Sequence, residues 1–91
     1  MRVVGDSMIE EGILDGDLAV VLPSETARTG DLVVAYLGEE QEATVKRYHE
    51  TAGRLELRPA NAAYRPIRVD RRDPHFRLGG KVVGVVRRIR N

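Results

Sequence analysis

Ninety-one residues are enough for one domain with a single modest core, because a chain of this size buries roughly 60–65% of the surface its unfolded form exposes. There is no cysteine, which excludes disulfides and thiolate metal sites, and the two histidines, His49 and His75, stand in no zinc spacing, so neither metal nor cofactor is expected. A net charge of +1 argues against nucleic acid as the main partner of this segment.

The pattern along the chain is overwhelmingly β: short Val- and Leu-rich stretches alternate with Gly, Asp and Pro, and no window sustains a helical period for three turns. Arg2-Val3-Val4 reads as a first strand that breaks at Gly5-Asp6, and Ser7 to Glu11 as one helical turn before Gly12. Asp15-Gly16 turns into a strand from Asp17 to Leu22, closed by Pro23. After a polar loop from Ser24 to Gly30, Leu32 to Leu37 and Glu42 to His49 form an antiparallel pair around Gly38-Glu39-Glu40-Gln41. Thr51-Ala52-Gly53 makes a second hairpin into Arg54 to Arg58, halted by Pro59. Ala60 to Pro66 is loop, Ile67 to Asp70 a short strand, and Arg71 to Gly80 a further loop. Lys81 to Ile89 closes the chain as a strand in which Gly84 predicts a bend or bulge. The Gly-Asp-Leu turn at Gly16 and again at Gly30 is local turn chemistry used twice, not a repeat architecture. The longest apolar runs, Leu18 to Leu22 and Leu32 to Leu37, are strand-length, and Met1 to Gly5 leads straight into acidic residues without a signal peptide. A soluble, cytoplasmic protein is therefore the expectation.

Few residues can carry chemistry. Serine occurs twice, at Ser7 and Ser24, and Ser24 in its polar loop reads as a turn residue. Ser7 follows the Gly5-Asp6 break and fits two roles. One is helix N-cap; the other is an exposed nucleophile with free backbone N–H groups beside it. Thirteen of the basic residues are arginine, which cannot be deprotonated in a protein, so Lys46 and Lys81 are the sole candidate amine bases. A triad through His49 or His75 lacks the nucleophile elbow around Ser7. Alternation along Ala43 to Tyr48 turns Val45 inward and Lys46 outward with Thr44 and Tyr48, so Lys46 can act as a neutral base only if something covers that face.

Taken in order, Gly5-Asp6-Ser7-Met8, Gly12-Ile13-Leu14-Asp15-Gly16-Asp17, Gly30-Asp31 and Thr44-Val45-Lys46-Arg47 resemble the LexA and UmuD family of self-cleaving serine peptidases, which includes lambda-type phage repressors and, more distantly, bacterial signal peptidases. Leu57-Arg58-Pro59-Ala60-Asn61, Pro66-Ile67 and Gly80 to Arg87 favour the LexA branch over a UmuD-like polymerase accessory. The resemblance implies an all-β domain of short twisted antiparallel strands with at most one helical turn after Ser7. It implies Ser7 as nucleophile, Lys46 as base, and an oxyanion site made by the backbone N–H groups of Asp6 and Ser7. It further implies cleavage of an upstream Ala-Gly bond stimulated by a RecA filament, homodimerisation through Lys81 to Arg90, and DNA binding only through a separate helix-turn-helix domain. Only six residues precede Ser7, so the cleavage segment is absent here and the chain reads as a catalytic core, with an idle dimerisation module as the competing role. The Arg87-Arg88-Ile89-Arg90 tail reads as solvated charge or a phosphate contact.

Overall fold

The computed structural model describes residues 1–89. Among them, six strands form one antiparallel sheet: β1 (Leu18–Pro23), β2 (Leu32–Leu37), β3 (Glu42–Thr51), β4 (Arg54–Arg58), β5 (Ile67–Val69) and β6 (Arg77–Val86). Their order across the sheet is β1-β6-β2-β3-β4-β5. Among the described residues the only helical element is a single 3-10 turn, Ile9–Glu11, so the all-β reading holds.

The hairpins follow from turn chemistry. Between β3 and β4, Ala52 and Gly53 both take positive φ (52° and 77°), the pattern of a type I′ turn, whose twist matches that of the flanking strands. Residues 2–4 do not make a strand: Arg2 forms one isolated bridge to Leu18, because the turn at Gly5 draws the chain away from β1.

The last strand begins four residues before its expected start and ends at Val86. Gly79 and Gly80, which read as loop, are instead needed for the strand to pass between its neighbours. A Cβ on Gly80 would lie 2.5 Å from the Leu22 carbonyl oxygen, and one on Gly79 would lie 2.6 Å from Cε2 of Tyr36. β6 carries two irregularities in register. Opposite Val34 and Ala35 it passes from Gly80 to Leu78, and opposite Val20 and Val21 from Gly84 to Val82, where Gly84 predicted a bulge.

β6 is also not a simple edge strand. Gly80 to Val86 pair with β1 on one side, and Arg77 to Lys81 pair with β2 on the other. Val82 to Val86 are thus laddered on one side only.

The apolar side chains divide into two clusters instead of one core. The first joins Val3, Met8, Ile13, Ala19, Val34 and Val45; the second joins Val33, Ala35, Tyr48, Leu55 and Leu57. Val33, Val34 and Ala35 are successive residues of β2 that alternate between the clusters, so β2 is covered on both faces. That explains its unbroken apolar run, since a strand buried on both sides has no polar face to alternate.

Candidate active site

The loop that carries Ser7 is held from several directions. Gly5 has φ +86°, a left-handed conformation that glycine enters without a Cβ penalty, and its N–H donates to Asp15 Oδ1 at 2.8 Å. Met8 is 2% exposed and pins the loop into the first cluster. On the far side the loop is laced to residues 60–64. Ala60 N–H donates to the Ser7 carbonyl at 2.8 Å, Glu10 N–H to the Ala60 carbonyl at 2.8 Å, and Ala62 N–H to Glu10 Oε2 at 2.7 Å. Asn61 Nδ2 donates to the Asp6 carbonyl at 2.8 Å, and the Tyr64 hydroxyl to Asp6 Oδ1 at 2.5 Å. That carboxylate also pushes the Tyr64 phenol above its ordinary pKa.

Ser7 is not a helix cap. Met8 occupies the N-cap position of the 3-10 turn and makes no side-chain capping bond. The Ser7 hydroxyl instead lies 2.7 Å from Lys46 Nζ. The same nitrogen lies 2.6 Å from Thr44 Oγ1 and 3.2 Å from the Val45 carbonyl oxygen. The structure thus brings together the two side chains singled out in the sequence, across 39 positions of chain.

Lys46 is 7% exposed, against the solvated placement that strand alternation predicts. The reason lies in the second cluster. In β3, Val45, Lys46 and Tyr48 are all buried, because both faces of the sheet are covered here and not one. Lys46 pairs in register with Val33, which has no exposure at all. Among the described residues it has no ion-pair partner, so burial acts unopposed and pushes its pKa below the ordinary lysine value.

The alternatives from the sequence are engaged elsewhere. Lys81 sits 3.5 Å from Asp31. His49 Nε2 lies 2.9 Å from Thr51 Oγ1, and the backbone of His75 is tied to Asp73 and Gln41. Ser24 Oγ donates to the Thr26 carbonyl at 2.7 Å, the turn role expected of it. Among the described residues no cluster of metal-ligating side chains occurs, and no helix is long and apolar enough to cross a membrane.

Ser7 opens into a cleft of about 210 Å³ whose walls include Val3, Val4, Ala43 and Thr44. A larger groove of about 1040 Å³ runs along β4 and β5, lined by Arg54, Glu56, Arg68 and Asp70. It contains neither serine nor lysine.

Three contributions escaped the sequence reading. Thr44 read as an outward strand residue, yet it contacts the lysine nitrogen. The polar loop from Ala60 to Tyr64 showed only a motif, with no sign of which backbone it would meet. Arg87, read as tail charge, forms a two-pronged pair with Asp17 (2.8 and 2.7 Å) and donates to the Gly12 carbonyl at 2.8 Å. Arg90 of the same tail lies outside the described residues.

Comparison with known proteins matches residues 1–83 to the family described as Peptidase S24-like. The chain is 52% identical over its full length to the LexA repressor of Syntrophotalea carbinolica, of which it covers 44%. It is 48% identical over 90 residues, 97% of its length, to that of Carboxydothermus hydrogenoformans, of which it covers 42%. With the LexA repressor of Staphylococcus aureus it shares 46% identity over 87 residues, 96% of this chain and 40% of that one. It therefore spans less than half the length of these relatives. A part-buried Ser–Lys contact on an all-β domain and a match over most of its length lead to one assignment: the chain belongs to the peptidase S24-like family of serine peptidases.

Proposed function

We propose that this chain is the self-processing endopeptidase domain of a LexA-type repressor, with Ser7 as nucleophile and Lys46 as general base. The observation that carries the reading is the 2.7 Å approach of Lys46 Nζ to Ser7 Oγ, a part-buried contact in which Lys46 has no ion-pair partner among the described residues.

Proton counting supports the same direction. A neutral amine has two N–H donors and one lone pair, and Nζ has three oxygen neighbours. Thr44 Oγ1 and the Val45 carbonyl take the two N–H bonds, which turns the lone pair to the Ser7 hydroxyl. As Ser7 Oγ attacks the scissile carbonyl, its proton passes to Lys46 Nζ. The carbonyl oxygen becomes an oxyanion held by the N–H groups of Asp6 and Ser7, neither of which has a protein acceptor among the described residues. Lys46 then returns the proton to the departing amine, and water hydrolyses the acyl-Ser7 ester by the same route.

The substrate proposed is an Ala-Gly bond in a segment preceding this domain in the longer repressor, with a RecA filament as activator and a cytoplasmic setting. DNA binding would belong to another domain. The partner proposed for this one is a second copy of itself. The reading is supported by Val82 to Val86, which leave one side of β6 without a ladder, and by the apolar face beside it: Val20, Leu22, Val83 and Val86 are 47%, 57%, 63% and 52% exposed.

A peptide containing an Ala-Gly bond, added to the chain, tests the assignment. Cleavage should depend on both Ser7 and Lys46; cleavage that survives Ser7→Ala would overturn it.

A further inference from the structure

We propose that Asn61 is a positioning residue for the oxyanion site, acting through the carbonyl of Asp6. The proposal rests on Ser7 being the nucleophile, and it starts from peptide geometry. No peptide bond in the described chain is cis, so the Asp6 C=O and the Ser7 N–H point in opposite directions across one rigid plane. Asp6 C=O accepts from Asn61 Nδ2 at 2.8 Å and from Ile9 N–H at 3.3 Å. Holding that oxygen towards residues 60–64 turns the Ser7 N–H the other way, and no acceptor meets it among the described residues. Residues 60–64 do not line the cleft that Ser7 opens into, which leaves the cleft side open to an N–H turned away from them.

The Ile9 bond alone is a poor anchor. It is the longer of the two and closes a lone i-to-i−3 turn just before the 3-10 element, a hydrogen bond of poorer geometry. Asn61 is itself held, since its Oδ1 accepts from Ala63 N–H at 2.9 Å, and the neighbouring Ala60 N–H grips the Ser7 carbonyl at 2.8 Å. The amide therefore reaches the nucleophile loop from a braced position. Asn61 touches neither Lys46 nor the Ser7 hydroxyl. That separation gives the proposal a distinct signature: loss of Asn61 should weaken oxyanion stabilisation without changing the protonation of the base.

The experiment measures cleavage of an Ala-Gly peptide by the 91-residue chain from pH 6 to 11, together with inhibition by a peptidyl boronic acid, which forms a tetrahedral adduct on serine. Asn61→Ala should lower the plateau kcat by about 10- to 100-fold, somewhat less than outright loss of one oxyanion donor. It should weaken boronate binding by a similar factor, with the pH midpoint unmoved and KM within about 2-fold of the parent. Should Asn61→Ala fold poorly, Asn61→Asp keeps the shape and the Oδ1 acceptor but removes the donor, and is read for boronate affinity. Parent-like kcat and boronate binding overturn the proposal, as does a fall in kcat accompanied by a shifted pH midpoint. If the parent fails to cleave, or Ser7→Ala cleaves equally well, the nucleophile assignment falls and this inference falls with it. Ser7-dependent cleavage untouched by Asn61→Ala removes this inference alone.

Discussion

Among the described residues Lys46 has no counter-charge, and the role proposed for it follows from that. Its contacts are a hydroxyl, a second hydroxyl and a carbonyl, and burial disfavours the ammonium form. The unfolded chain therefore binds a proton that the folded chain resists between the lowered pKa and the ordinary value of about 10.5. Lys46 thus opposes folding below that interval, and its contribution to stability rises with pH across it. Cleavage should rise in the same direction, with a midpoint below the ordinary lysine value; a rate flat or falling from neutral to alkaline pH would sink the base assignment. Thr44→Val should move that profile, because it frees one N–H of the amine to turn towards Ser7. We expect a loss of about 10-fold in kcat, checked against Thr44→Ser, which restores the hydroxyl and should recover most of the rate. In the sequence Ser7 and Lys46, the proposed dyad, could be named, but only through the ordered motifs around them. Burial of Lys46 was unreadable because alternation assumes one wet face, and here both faces of β3 are dry.

At the scale of elements, β6 decides the architecture. It contacts β1 on one side and β2 on the other, although β1 and β2 are separated by only a short loop in sequence. The hairpins around Gly38 and Gly53 were readable because turn residues announce themselves locally. The insertion of β6 was not, since no local signal reports which strands a Gly-Gly pair will pass between. Gly80→Ala tests this placement. The new methyl would meet backbone at Leu22, which cannot rotate aside, so a loss of about 1–3 kcal/mol is expected from the unfolding midpoint in urea. Leu57→Ala, at a site with no exposure in the second cluster, should cost about 2–5 kcal/mol by the same measurement.

Across the whole molecule, the clasp of Arg87 on Asp17 joins the residues after β6 to the turn before β1. Two guanidinium bonds and the Leu14 N–H, at 2.8 Å, hold the Asp17 carboxyl down to about 2 from an ordinary value near 3.8. A depressed carboxylate stabilises the fold above its unfolded pKa and loses that contribution as pH falls through the folded value. Thermal stability should accordingly fall between about pH 4 and pH 2, and Asp17→Asn should flatten that slope; an unchanged slope would show that the clasp carries no such linkage. The place of β6 has a second consequence, which concerns time. Ser7 stands beside β1 and Lys46 on β3, and the strand that bridges their two halves of the sheet is the last of the six to be synthesised. A nascent chain that ends before Arg77 carries Ser7, Lys46 and the bonds from residues 60–64 to the Ser7 loop, but lacks the strand that ties β1 to β2. On the proposed assignment, the two halves of the sheet would thus lock together only after Arg77 to Val86 emerge, and a chain stopped after residue 76 should cut an Ala-Gly peptide more slowly than the 91-residue chain.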